Sequence, residues 1–209
     1  MLKAVGLDLD NTLYDQDQFE IPAFRKISRI VSSEYNIPKL VYFKNLVELY
    51  KTGQKSRSFD KAFQMIKELP QDWENFIMSK ILPTYRNNKP ILSLYDGVRE
   101  FIEYLKSKGL ILVLITNGNV DIQNYKIDAL GIRKYFDRVY ISDSYNPPAR
   151  KPDTRMFLDF LRDFNLKSKE CMYIGDSEND SSSETLGIKF LPFNQNFDEI
   201  IEYLKGYIN

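Results

Sequence analysis

The sequence predicts an α/β fold: a parallel sheet between layers of helix, interrupted after its first strand by an all-helical insert. From residue 97 onward, helical periodicity alternates with short apolar runs, the pattern of a parallel sheet covered on both faces. Between about Tyr14 and Leu94 only helical patterns occur, with no convincing strand. The expected domains are therefore a core formed by 1–14 and 95–209 and a helical insert at 15–94.

The first strand, Leu2 to Leu9, is apolar apart from Lys3 and carries Asp8 and Asp10 at its carboxyl end. Residues two apart in a strand share a face, so both acids would lie on one side. Like charges this close cannot both stay ionised without a cation or a shared proton, and a divalent metal is the obvious resolution. In the insert, Phe19–Tyr35, Leu40–Lys51, Phe59–Lys67 and Trp73–Leu82 read as helices, with Phe19, Phe24, Trp73 and Phe76 as core. The polar, basic stretch from Gly53 to Ser58 includes Arg57, a candidate contact for an anionic substrate.

After the insert, Val98, Phe101, Ile102 and Leu105 fall at helical spacing and Gly109 is a helix stop. Leu110–Ile115 is a continuous apolar run of the kind found in doubly covered parallel strands. The turn Thr116-Asn117-Gly118-Asn119 follows, then a helix over Val120–Leu130 and a strand over Arg138–Ser142. A helix over Thr154–Asn165 precedes the strand Cys171-Met172-Tyr173-Ile174, which runs into Gly175-Asp176.

Lys plus Arg and Asp plus Glu number 29 each in 209 residues, which removes any bulk electrostatic argument for nucleic acid or an anionic membrane as partner. The longest strongly apolar run is far short of the roughly 20 residues that span a bilayer. The amino terminus does not read as a secretory signal, and a lone Cys171 forms no intrachain disulfide; a cytoplasmic location is expected. The chain has no histidine, so Ser-His-Asp and Cys-His catalysis and His-ligated zinc are excluded. Chemistry must come from carboxylates, Lys, hydroxyls and a metal.

In open parallel sheets, ligands sit beyond the carboxyl ends of the strands. Asp8/Asp10, Thr116/Asn117, Lys151-Pro152 and Asp176 with Asp180 all occupy such ends or the loops after them. Singly, each is ordinary: a turn, a surface Lys before a helix-starting Pro, an acidic turn capped by Ser177 and Asp180. Together they place carboxylates, a hydroxyl, an amide and one Lys around a cavity. All-oxygen ligands suit Mg2+, at about 2.1 Å and octahedral, and Lys with Thr suits a phosphate.

These motifs resemble the haloacid dehalogenase superfamily, phosphatase branch. Asp8-Leu9-Asp10-Asn11-Thr12 matches DxDxT, Ile115-Thr116-Asn117-Gly118 the second motif, Lys151-Pro152-Asp153 the third, and Gly175-Asp176-Ser177-Glu178-Asn179-Asp180 the fourth, in the expected order. The fourth is GDxxxD where capped relatives commonly have GDxxxxD. The resemblance implies a Rossmann-like three-layer α/β/α core with a subclass I helical cap that supplies specificity. It also implies a Mg2+-dependent phosphatase acting on a small phosphorylated metabolite.

In that mechanism Asp8 is the nucleophile and forms an aspartyl-phosphate, while Asp10 serves as acid and then base. Thr116, Asn117 and Lys151 bind phosphoryl oxygens. The metal is held by Asp8, the Asp10 backbone carbonyl and Asp176, with Asp180 binding a metal water or Lys151. The Asp10 side chain must stay free, with a raised pKa. A phosphomutase of the beta-phosphoglucomutase type shares all four motifs. A haloacid dehalogenase lacks the second acid, and a silent binding module would not keep every catalytic group. Phosphoglycolate, a sugar phosphate and a nucleoside monophosphate all fit as substrates.

Overall fold

The computed structural model describes residues 1–54, 56–193 and 196–208; Lys55, in the basic stretch of the insert, lies outside them. The chain forms two compact units, one of Met1–Gln16 with Leu92–Asn209, the other of Asp17–Ile91. Leu92 and Ser93 join the first unit because the chain around them is tied to the loop after the first strand. Tyr14 bridges Leu94, and the Tyr95 N–H donates to the Leu13 carbonyl at 3.0 Å.

The first unit is built on a parallel sheet of β1 (Ala4–Leu7), β2 (Ile111–Thr116), β3 (Arg138–Ile141), β4 (Cys171–Gly175) and β5 (Lys189–Pro192), in the order β3-β2-β1-β4-β5. β1 is fully buried between β2 and β4, with Val5 opposite Leu112 on one side and Met172 on the other. This matches its unbroken apolar sequence. One sheet face packs Val113, Ile115, Tyr140 and Tyr173 against Met156, Phe157 and Phe160 of the helix Arg155–Asp163. Helix Val98–Ser107 buries Val98, Phe101, Ile102 and Leu105, and Phe101 stacks on Phe197 of helix Phe197–Lys205 with ring centroids 5.1 Å apart.

The strand β5 and the last helix are absent from the sequence expectation. β5 is a four-residue edge strand ending in Pro192, too short and too exposed to give a period-2 signal. The last helix did have a legible start: Asn196 caps it by accepting from the Glu199 N–H.

The second unit consists of helices Asp17–Tyr35, Lys39–Lys51, Ser58–Gln64, Trp73–Phe76 and Leu82–Arg86, with a π-helical turn at Ile77–Ile81. The expected single helix over 73–82 is thus interrupted. Pro83 cannot donate to a carbonyl four residues back and would crowd it, and the wider π turn directly before it accommodates that defect. The unit has its own core, with Phe24, Ile27, Tyr42, Leu46, Phe63, Trp73 and Phe76 buried together. No described helix is long and apolar enough to cross a membrane.

Candidate active site

β1 lies at the centre of the strand order. The chain moves from it to β2 and β3 on one side, then returns to β4 and β5 on the other. The resulting switch point lies between β1 and β4, where open α/β sheets bind ligands beyond the strands' carboxyl ends. Asp8 follows β1 and its N–H donates to Ile174 of β4 at 2.9 Å. Asp176 follows β4, and Thr116 is the last residue of β2. The loop after β1 turns back immediately: Asn11 takes a left-handed conformation, φ 58°, and the Leu13 N–H donates to the Leu9 carbonyl at 3.0 Å. Asn tolerates this conformation better than most residues, which accounts for its place between Asp10 and Thr12.

Lys151 is the centre of the cluster. It is buried, and its Nζ lies 2.6 Å from Asp8 Oδ1, 2.5 Å from Asp180 Oδ1, 2.8 Å from the Tyr173 hydroxyl and 3.1 Å from the Ile115 carbonyl, four acceptors for its three protons. Two buried carboxylates thus share one ammonium. Burial pushes the Asp8 carboxyl up to about 8, with Lys151 pulling against it and the charges of Asp180 and Asp10 reinforcing it. Burial alone would lower Lys151, but Asp8 and Asp180 outweigh it and hold the ammonium above the usual lysine range. Tyr173 was not singled out from sequence. A tyrosine inside an apolar strand is the signal that could have found it, since its buried hydroxyl needs partners.

Asp180 is fully buried, and both its oxygens are occupied. Oδ1 meets Lys151, while Oδ2 accepts the Ser177 N–H at 3.0 Å and the Ser177 hydroxyl at 2.7 Å. The Ser177/Asp180 pair is the capping box of the 3-10 helix Glu178–Leu186, so one aspartate both caps a helix and holds the site lysine. The shorter GDxxxD spacing is what puts it at that third helical position. Gly175 makes room for it, since a Cβ there would lie 2.6 Å from the Asp180 carboxyl carbon.

Asn117 and Asp10 both engage neighbouring residues through their side chains. The Asn117 carboxamide is bound to the backbone of Lys151, donating to the carbonyl at 3.1 Å and accepting from the N–H at 2.8 Å. It clamps the lysine loop to the end of β2. The acid and base role expected of Asp10 requires a side chain off the metal and a raised pKa, a balance the sequence leaves open. In the structure Oδ1 accepts from the Lys126 Nζ at 2.7 Å and the Tyr14 hydroxyl at 2.5 Å, and Oδ2 accepts from the Gln123 amide at 3.1 Å. Burial raises this carboxyl, but Lys126 and the hydrogen bonds overcome that and leave it below the usual carboxylate range. Arg57, the other expected substrate contact, belongs to the helical unit, where its guanidinium binds Asp60 at 2.7 Å.

Carboxylate oxygens of Asp8, Asp176 and Asp180 lie within 4.8 Å of one another. Oxygens on one octahedral cation at about 2.1 Å sit about 3 to 4 Å apart, so the group fits a hard divalent ion such as Mg2+. Because Asp180 is fully engaged, Asp8 and Asp176 are the carboxylates suited to direct coordination.

The fold and these groups define an α/β protein with a buried cluster of carboxylates and lysine at the switch point of its sheet. The family model described as haloacid dehalogenase-like hydrolase matches residues 2–183, and the chain belongs to that family. Over 184 residues it is 31% identical to a glyceraldehyde 3-phosphate phosphatase of Methanothermobacter thermautotrophicus, covering 86% of this chain and 79% of the relative. It is 25% identical over 186 residues to a phosphoglycolate phosphatase of Haemophilus influenzae, covering 85% and 79%. The crystal structure of a HAD-superfamily hydrolase, subfamily IA, from Geobacter sulfurreducens superposes with a TM-score of 0.73 at 23% identity over 97% of this chain and 96% of that one, and shares the fold.

Proposed function

We propose that this chain is a Mg2+-dependent phosphatase acting on a two- or three-carbon phosphomonoester through an aspartyl-phosphate on Asp8. The observation that carries the reading is Lys151 bridging buried Asp8 and Asp180 at 2.6 and 2.5 Å, with Asp176 in reach, at the switch point of the sheet. Lys151 occupies Asp8 Oδ1, so Oδ2 is the attacking atom. It forms a bond to phosphorus as the bond to the leaving oxygen breaks, and Asp10 gives that oxygen a proton. In the second half Asp10 takes a proton from water, the water oxygen bonds to phosphorus, and the phosphorus bond to Asp8 breaks.

Lys151 and the Thr116 hydroxyl stabilise the phosphoryl oxygens. Asn117 and Asp180 keep Lys151 in place. Asp8, Asp176 and the Asp10 carbonyl would hold Mg2+, whose charge lets an anionic nucleophile meet an anionic phosphate. Relatives named for glyceraldehyde 3-phosphate and phosphoglycolate support the small-substrate reading.

The test is turnover of glyceraldehyde 3-phosphate, phosphoglycolate and p-nitrophenyl phosphate with and without Mg2+. Activity that needs the metal and disappears in Asp8→Asn is the expected result. A wild-type protein that hydrolyses none of a broad phosphoester panel while still binding Mg2+ would defeat the proposal.

A further inference from the structure

The side chain of Gln123 stands between two members of this machinery. Its Nε2 donates to Asp10 Oδ2 at 3.1 Å and to Thr116 Oγ1 at 2.7 Å. A carboxylate only accepts, so the amide's NH2 side must face Asp10, and both of its protons are used. Thr116 then receives a hydrogen bond from Gln123, and its one hydroxyl proton is left to be donated elsewhere. Lys126, three residues on along helix Val120–Ala129, grips the other Asp10 oxygen at 2.7 Å. Gln123 and Lys126 are 1% and 2% exposed, so these are enclosed contacts. The backbone is shaped around the amide: Gly118 has φ 146°, and a Cβ there would lie 3.0 Å from Gln123 Cδ and Cγ.

We infer that Gln123, backed by Lys126, is a positioning residue for phosphoryl transfer: it fixes the Asp10 carboxylate relative to Thr116 and commits the Thr116 hydroxyl to donating toward a phosphoryl oxygen. This rests on the phosphatase reading. Neither residue belongs to the four motifs. Each acts through another side chain, and the two arms have different signatures. The Thr116 arm bears on the phosphoryl group whatever the leaving group. The Asp10 arm matters most when the leaving oxygen needs a proton.

The experiment compares wild type with Gln123→Met, Lys126→Met, Lys126→Arg, Thr116→Val and the Gln123→Met/Thr116→Val double variant, all with Mg2+. Each protein is assayed for kcat and KM on glyceraldehyde 3-phosphate and p-nitrophenyl phosphate, for orthophosphate binding by calorimetry, and for Tm. We expect Gln123→Met to lower kcat on glyceraldehyde 3-phosphate by about tenfold to a hundredfold, a share of what positioned acid–base groups contribute, with little change in KM. The double variant should lose less than the product of the single losses, because Gln123 acts partly through Thr116. Lys126→Met should harm the alkyl ester more than p-nitrophenyl phosphate, whose leaving group needs no proton, and Lys126→Arg should restore part of the loss.

Unchanged kcat with a lowered Tm, or strictly multiplicative losses with equal effects on both esters, would overturn the inference and leave these residues as packing. Failure of the phosphatase reading has a different appearance: wild type would neither hydrolyse an ester nor bind orthophosphate, and the inference would fall with it.

Discussion

Replacing Lys151 with Met keeps most of the side-chain volume and removes the charge, so its effect reports on the buried ionic cluster rather than on a cavity. The two carboxylates that share this ammonium are 8% and 1% exposed at the side chain. Removing one partner of a buried pair costs about 3–5 kcal/mol, because the remaining charge stays out of water without compensation. Here the ammonium serves two carboxyl groups, Asp8 and Asp180. In a chain of this size 1 kcal/mol moves Tm by about 2–4 °C, so the core transition should fall by about 6–20 °C.

The pH dependence follows from the direction of the Asp8 shift. Its carboxyl is raised from 3.8 to about 8, so the folded state holds the proton more tightly than the unfolded chain. Asp8 therefore favours folding at low pH, and that contribution is lost as pH rises through this window. Lys151 supplies the main pull lowering Asp8, so without it the carboxyl sits higher still, and the deficit of the variant should be level below about pH 8 and grow as pH rises past it. Thermal unfolding followed by circular dichroism in chelator measures both effects. A Tm drop under about 2 °C at pH 7, or a deficit that does not grow between pH 7 and pH 9.5, would refute the reasoning.

Three further outcomes are expected. Because a cation at Asp8 competes with a proton held up to about 8, Mg2+ binding should release a proton below that pH, and apparent affinity should rise with pH and level off above it; calorimetry in two buffers of different ionisation enthalpy checks this. Gly175→Ala drives a methyl to 2.6 Å from the Asp180 carboxyl carbon and should cost about 1–3 kcal/mol, together with activity, because Asp180 would have to leave Lys151; urea unfolding and kcat read the two losses. The Cys171 thiol, pushed up to about 12 chiefly by burial, should react with a disulfide reagent at pH 8 only as fast as the chain opens, and labelling at the free-thiol rate would contradict that.

The sheet was legible wherever the sequence was apolar on both faces: Leu110–Ile115 and Cys171–Ile174 sit in β2 and β4. β5 was not, because one short exposed edge strand carries no periodic signal. Asp8, Thr116, Lys151, Asp176 and Asp180 stand out in the sequence because each type of side chain is costly or purposeful at a strand end. What pattern alone could not supply was how hydrogen bonds are shared. Asn117 carries the right chemistry to touch a phosphate, yet its donor and acceptor match a backbone N–H and carbonyl, and they are spent there. Gln123, Lys126 and Tyr173 lie inside elements whose spacing marks them as core, and only the fold reveals that each faces a carboxylate.

The opposed shifts of Asp8 and Asp10 follow from where the two lysines sit. Lys151 is divided between Asp8 and Asp180, so neither carboxylate is fully compensated and burial prevails at Asp8. Lys126 serves Asp10 with help from Tyr14 and Gln123, and there the partners prevail. The chain's own groups thus hold the Asp8 carboxyl above the usual carboxylate range and the Asp10 carboxyl below it. Positive charge brought to Asp8 and the negative charge of a phosphate brought toward Lys126 and Asp10 each push in the reversing direction. In the proposed reaction a cation at Asp8 would therefore favour the ionised nucleophile, and a phosphate near Lys126 the protonated acid.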